Sequence, residues 1–296
     1  ERLMPDLLKI QGLTKSYGDF SLQKMELSVP DGHVVGLIGK NGAGKSTTMK
    51  AVLGLIFPDA GHIELFGRAD DDDGPCVEVK RHIGVVLDSC PFPAEMTAAD
   101  VGRLGRRAFG SWRQGRFDTL LRDAGISTTK KVRRLSRGMG MRLQLAFALA
   151  HEPDLLLLDE ATSGLDPLAR DEVLDLLRDH MSHEGRGILM SSHITTDLEK
   201  LADIVVCIDG GRKVFEKTLE DICDTSGIAR CKSEDVERIM RAGLFGQGVL
   251  RILRNGYSSD VLVPDRKLLH DALPTVTCER ASLDEYMLLT LKGEAL

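Results

Sequence analysis

The sequence predicts an α/β fold in which a mostly parallel sheet carries helices on its faces and a small α/β unit closes the chain. Three observations lead there. Strand-like, mostly apolar runs of five residues recur at Val34–Ile38, Asp154–Leu158, Gly187–Ser191 and Ile204–Ile208, a length and composition that suit buried strands. Helical stretches such as Pro167–His180 and Thr195–Leu201 separate the later runs, and strands alternating with helices build a parallel sheet. After about Lys217 the composition shifts, and a separate unit begins with its own hairpin and cap signals.

The chain's 296 residues suit one large domain and a smaller one. Its 42% hydrophobic and 28% charged residues are ordinary for a soluble globular protein. No stretch reaches the 18 or so consecutive apolar residues of a spanning helix. The first residues lack the basic start and apolar run of a secretion signal, so a membrane role is expected to come through a partner. A net charge of −6 argues against general nucleic-acid binding. The six cysteines show no C-x-x-C spacing and read as small buried hydrophobes rather than metal or redox groups.

In chain order, Leu8–Gly12 and Ser21–Val29 read as strands that precede Val34–Ile38. A helix is expected from about Gly44 to Leu55, with Pro58 beyond its end, then a strand at Gly61–Gly67. Asp70–Asp73, beside Gly74 and Pro75, reads as a solvated loop. From about Ala94 to Ala150 the pattern turns helical and basic, with twelve Arg or Lys between Val101 and Arg142 against Asp118 and Asp123. Two readings stand for that asymmetry: a surface balanced by acidic neighbours, or a face near nucleotide phosphates or an anionic leaflet. Asp209-Gly210-Gly211 turns a hairpin into Lys213–Phe215. In the last unit Ser233 is expected to cap a helix through Ala242, and Val249–Leu253 and Tyr257–Val263 flank the hairpin signal Asn255-Gly256. Ser282-x-x-Glu285 is a capping box before a final amphipathic helix. No catalytic constellation occurs there, so the unit reads as structural or regulatory.

Gly39-Lys40-Asn41-Gly42-Ala43-Gly44-Lys45-Ser46 fits the phosphate-binding pattern G-x-x-x-x-G-K-[ST], between a strand and a helix as the chemistry requires. The glycines let backbone N–H groups turn inward on phosphates, and the helix N-terminus adds favourable partial charge. Lys45 would reach the β- and γ-phosphates, and the Ser46 hydroxyl would ligate Mg²⁺. Leu155-Leu156-Leu157-Leu158-Asp159-Glu160 supplies the matching half: a buried strand delivers two carboxylates to its C-terminal end, where open α/β sheets bind ligands. Asp159 suits a water-mediated contact to Mg²⁺. Glu160 points differently and suits proton abstraction from water attacking the γ-phosphate.

Between these motifs, Leu135-Ser136-Arg137-Gly138-Met139 resembles the L-S-G-G-Q signature of ABC ATPases, followed by a helix. Arg137 and Met139 depart from that pattern, while Ser136 and Gly138 keep it. Tyr17, in "KSYGDF", resembles the aromatic residue that stacks on adenine. Ser163-Gly164-Leu165-Asp166 resembles the loop that crosses the dimer interface, and His193 resembles the switch histidine. Asp88, in "IGVVLDSCPF", stands where the family usually has glutamine, near the metal and the membrane partner; Ala161 stands where proline is common. The resemblance covers about residues 7–217. It is strongest to ATPases of bacterial peptide or antibiotic exporters, such as that of phenol-soluble modulins.

The resemblance implies a P-loop NTPase core with an N-terminal antiparallel β subdomain, a helical signature subdomain at about 94–150, and a nucleotide-binding domain ending near 217, with 218–296 an accessory α/β domain. It implies a transporter ATPase at the cytoplasmic face of the membrane, probing no nucleic acid and driving a separate membrane permease. Two subunits, identical or closely related, would sandwich two ATP molecules. Nucleotide contacts fall to Tyr17, Gly39, Asn41, Gly42, Ala43, Gly44, Lys45, Ser46 and Thr47, and from the opposite subunit to Ser136, Gly138 and Asp166. Ser46, Asp88 and Asp159 serve Mg²⁺; Glu160 acts as base and His193 as positioning switch. An importer ATPase and a soluble non-transport ATPase of the same family are the alternatives. Against the latter stand the gap of about 115 residues between the nucleotide motifs, without sustained heptads, and the presence of one ATPase domain.

Overall fold

A computed structural model describes residues 6–69, 76–246, 248–256 and 258–296. The acidic run Asp70–Asp73 and Tyr257 lie outside the described residues. The chain divides into two compact units, Glu1–Ala202 with Val206–Phe215, and Asp203–Val205 with Glu216–Leu296.

The first unit opens with an antiparallel sheet. Strands β1 (Leu8–Tyr17), β2 (Phe20–Val29), β4 (Ala60–Leu65) and β5 (Arg68–Ala69) lie in the order β2-β1-β4-β5. β1 runs well past the expected Gly12. Its register against β2 shifts between Ile10 and Leu13 and again between Leu13 and Lys15, and such irregularities let a strand bend without losing its partner.

A six-stranded sheet follows, in the order β10-β9-β3-β8-β7-β6, from β3 (Val34–Ile38), β6 (Ile83–Val86), β7 (Leu155–Asp159), β8 (Gly187–Ser192), β9 (Ile204–Asp209) and β10 (Arg212–Thr218). β3 pairs parallel with β8, β8 with β7, and β7 with β6. Every residue of β3, β7 and β8 is buried, which is why these strands read as unbroken apolar runs rather than alternating ones. Each fully buried leucine of β7 contributes roughly 1.5–3 kcal/mol of transfer free energy.

The segment between β6 and β7 is helical, with Ala98–Ala108, Gln114–Asp123 and Arg137–Leu149 packed round Val101, Phe117, Leu121, Leu143 and Ala146. Thr97 and Asp100 form a capping box on the first of these helices. Of the twelve basic residues noted above, Arg103, Arg113, Arg116, Lys131, Arg133, Arg137 and Arg142 pair with acidic side chains. For most of that surface the balanced reading therefore holds.

The second unit is built on an antiparallel sheet of order β14-β11-β13-β12-β15, formed by β11 (Gly227–Cys231), β12 (Arg251–Asn255), β13 (Ser258–Val263), β14 (Cys278–Arg280) and β15 (Glu294–Ala295). Helices Ser233–Ala242, Arg266–Ala272 and Leu283–Lys292 accompany it. Ser282 and Glu285 form the expected capping box. Ser233, expected as a cap, is instead the first helical residue: Lys232 takes the cap position, and its N–H donates to the Asp235 carboxylate at 3.4 Å. An acid at the third helical position does that work whatever residue precedes the helix. Arg230 ties the unit together through Asp260 and Glu285.

Candidate functional site

The phosphate-binding sequence forms the turn between β3 and the helix Lys45–Val52. Gly42 and Gly44 take positive φ values of 81° and 118°, where a side chain would be strained. Gly39 is needed for a different reason: a Cβ there would lie 2.3 Å from the Ile208 carbonyl oxygen of β9. The helix begins at Lys45 with Gly44 as its cap, so the amides of its first turn have no partners inside the helix and suit an anion.

A cleft of about 490 Å³ opens over this turn, lined by Phe20, Lys40, Asn41, Gly42, Gly44, Lys45, Ser46, Thr47, Asp88 and Glu160. Lys45 is buried, and its ammonium donates to the carbonyls of Gly39 at 2.7 Å and Lys40 at 3.3 Å. It also lies 3.4 Å from Glu160 Oε1. The other carboxylate oxygen of Glu160 accepts from His193 Nδ1 at 2.5 Å. The acid is thus held between a cation on the phosphate loop and an imidazole at the end of β8.

Glu160 has a backbone φ of 53°, unusual for a residue other than glycine. The turn it makes aims it away from Asp159, the last residue of β7. Its N–H donates to the Ser191 carbonyl at 3.1 Å and to the Ser191 hydroxyl at 3.2 Å. That hydroxyl in turn donates to Asp159 Oδ1 at 2.5 Å. Ser191 sits opposite Asp159 in the β7–β8 register, so one buried hydroxyl positions both acids. In the sequence Ser191 is no more than the end of a strand; the register that gives it this task is a long-range fact.

Other residues singled out in the sequence lie elsewhere. Ser136 caps the helix Arg137–Leu149, its hydroxyl accepting from the Met139 amide at 3.3 Å. Asp166 caps Pro167–Met181, accepting from the Ala169 amide at 3.0 Å. Ser136, Gly138 and Asp166 line one cleft together with Gly164 and Leu165, and none of them borders the cleft over the phosphate loop. Tyr17 is 45% exposed on the β1–β2 hairpin, beneath the Lys15 ammonium at 5.5 Å. Phe20, three residues on and in the same hairpin, is the aromatic that lines the phosphate-loop cleft. The sequence singled out Tyr17 alone, although "KSYGDF" contains both.

For a divalent cation the donors lining the loop cleft are all oxygens, the Ser46 hydroxyl and the Asp88 and Glu160 carboxylates; Asp159, one residue before Glu160, ends β7 and does not line that cleft. Among the described residues no three His, Cys, Asp or Glu side chains converge on one point. Such a set suits Mg²⁺, which takes few protein ligands and fills its octahedron with phosphate oxygens and water.

Comparison with known proteins agrees with this geometry. A family model described as ABC transporter matches residues 22–163. The bacitracin transport ATP-binding protein BcrA of Bacillus licheniformis is 36% identical over 216 residues, spanning 72% of this chain and 70% of that one. The daunorubicin resistance ATP-binding protein DrrA3 of Streptomyces coeruleorubidus is 33% identical over 274 residues, spanning 88% and 82%. The solved structure of an ATP-binding subunit of an ABC transporter superposes with a TM-score of 0.67 at 32% identity, covering 73% of this chain and 91% of its own.

Proposed function

The chain belongs to the ABC transporter ATP-binding family, and on that premise we propose that it drives export of peptides, antibiotics or similar amphipathic cargo through a separate membrane permease. It is an ATP-binding, ATP-hydrolysing motor subunit. The export reading draws on relatives named for bacitracin transport and daunorubicin resistance. Among the described residues no helix is long and apolar enough to cross a membrane, and peripheral attachment to the permease on the cytoplasmic face follows from that reading.

The observation that carries the mechanism is the Glu160 carboxylate held between Lys45 and His193 at the phosphate-loop cleft. The loop amides and Lys45 bind the β- and γ-phosphates, with Phe20 or Tyr17 against the base. Ser46, Asp159 and Asp88 would hold Mg²⁺, which would screen the phosphate charge. His193 orients Glu160 and the attacking water. The water oxygen attacks the γ-phosphorus and gives its proton to Glu160; the bond from that phosphorus to the bridging oxygen breaks, and ADP leaves with those electrons.

Ser136, Gly138 and Asp166 border a cleft of their own in this chain. They serve the nucleotide only if a second copy, or a close relative, presents that face to the phosphate loop. This supports a dimer that closes on ATP and reopens on hydrolysis. The 218–296 segment is an accessory domain in this reading.

Affinity purification from detergent-solubilised native membranes tests the transporter part. A stoichiometric multi-span membrane protein is the expected companion. Recovery only with ribosomal or DNA-bound proteins would leave the ATPase standing and overturn the transport role.

A further inference from the structure

Two of this chain's departures from the family pattern, Asp88 and Arg137, meet in the fold. They are 49 residues apart in sequence, and Arg137 Nη2 donates to Asp88 Oδ1 at 2.5 Å. Asp88 borders two clefts at once: the one over the phosphate loop, with Lys45, Ser46 and Glu160, and a neighbouring one with Ser136 and Arg137. Its backbone is anchored from the same helix. Gln144, buried to 2% exposure, accepts from the Leu87 amide at 3.0 Å and donates to the Leu87 carbonyl at 3.1 Å. The main chain at Leu87 is thereby held, while the Asp88 carboxylate, paired with Arg137, also borders the cleft that contains Lys45.

Arg137 is an unusual choice for its place. It is the first residue of its helix, where the macrodipole opposes a cation, and the first turn contains no acid. The guanidinium instead lies over Gly164, where an added Cβ would sit 3.4 Å from it, and its Nη2 is 3.5 Å from the Ser163 hydroxyl. One side chain therefore touches the signature, the Asp88 turn and the Ser163–Asp166 loop.

We propose that Asp88 and Arg137 form an ionic latch, in which Asp88 leaves Arg137 for the metal of bound Mg²⁺–nucleotide and so frees the arginine at the signature. The latch rests on the ATP reading above. It makes the two sequence departures a matched pair: the charge that aspartate introduces beside the metal is neutralised by arginine until the metal arrives. Both side chains are more than half exposed, at 54% and 57%, so the pair competes only modestly with the metal, and removing the competitor changes affinity by about two- to fivefold.

The test is the affinity of the full-length protein for the hydrolysis-resistant β,γ-imido analogue of ATP, measured with Mg²⁺ and with EDTA; the ratio of the two is the readout. Arg137→Gln is expected to raise that ratio two- to fivefold, because Asp88 no longer has a competing partner. Arg137→Lys, which keeps the charge, is expected to stay near the parent ratio. Asp88→Asn is expected to lower the ratio, and Asp88→Asn with Arg137→Gln to match Asp88→Asn alone. A ratio unchanged or lowered in Arg137→Gln, or an equal gain in the Asp88→Asn background, overturns the latch. Failure of the parent protein to bind the analogue under either condition overturns the ATP reading and the latch with it.

Discussion

Replacing Ser191 by alanine isolates one atom of the site. The hydroxyl is fully buried on β8 and makes two bonds, donating to Asp159 Oδ1 at 2.5 Å and accepting from the Glu160 amide at 3.2 Å. The second bond is backed up, since the same amide donates to the Ser191 carbonyl at 3.1 Å. Its loss therefore costs little. The first is a charge-assisted bond to a carboxylate only 8% exposed, and losing such a bond costs about 1.5–3 kcal/mol. Alanine is smaller by one oxygen and keeps the strand, so packing adds little. We expect a destabilisation of about 2 kcal/mol, or about 4–8 °C in Tm for a unit of this size. Trp112, the single tryptophan, lies in the first unit, so its fluorescence during urea unfolding reports that unit specifically. The Asp159→Asn change provides the second edge of a double-mutant cycle. Effects of Ser191→Ala within about 0.5 kcal/mol of the parent, or full additivity with Asp159→Asn, would refute the claim that this hydroxyl holds the acid.

Gly39→Ala is expected to destabilise the first unit by several kcal/mol or to prevent soluble expression, because the new methyl meets a backbone carbonyl rather than a yielding side chain; melting of the purified variant checks it. Lys45→Ala removes the cation beside the cleft and is expected to weaken ATP binding at least tenfold (a loss of about 1.4 kcal/mol or more), as measured by equilibrium titration, while leaving Tm above that of Gly39→Ala. Acid should destabilise the first unit in a defined window. Burial, with Arg186 and Arg116 nearby, pushes His180 down to about 3, and burial also lowers His151. Both are neutral in the fold and take up protons more readily once unfolded. Their contribution is complete above the ordinary histidine value of about 6.5 and falls below it, for His180 by up to about 1.4 kcal/mol per pH unit. Urea midpoints at pH 7.5 and 5.5 measure this, and His180→Asn should flatten the dependence.

Much of this was legible in the sequence where the signal is local. β3 and β7 are unbroken apolar runs because both faces of a parallel strand are covered, and the glycine-rich turn after β3 carries its own conformational demand at Gly42 and Gly44. What escaped was set by pairing. β1 continues past Gly12 to Tyr17 because shifts in register let it keep its neighbour, and nothing in "LTKSY" announces a bulge. The Ser191 hydroxyl gained its function from standing opposite Asp159. Arg137 and Gln144, read as parts of a signature and its helix, reach back to residues 88 and 87 across the helical segment. The separation of Ser136, Gly138 and Asp166 from the phosphate-loop cleft is likewise a fact of three-dimensional placement, whereas their order along the chain already suggested a common family.

Steady-state phosphate release by the purified protein and its Glu160→Gln variant tests the central claim most directly. The substitution keeps size and most contacts while removing the basic oxygen poised between Lys45 and His193. Loss of a positioned general base corresponds to a drop of about 10²–10⁴-fold, and the account predicts such a drop with ATP binding retained. Hydrolysis by Glu160→Gln at the parent's rate would contradict it.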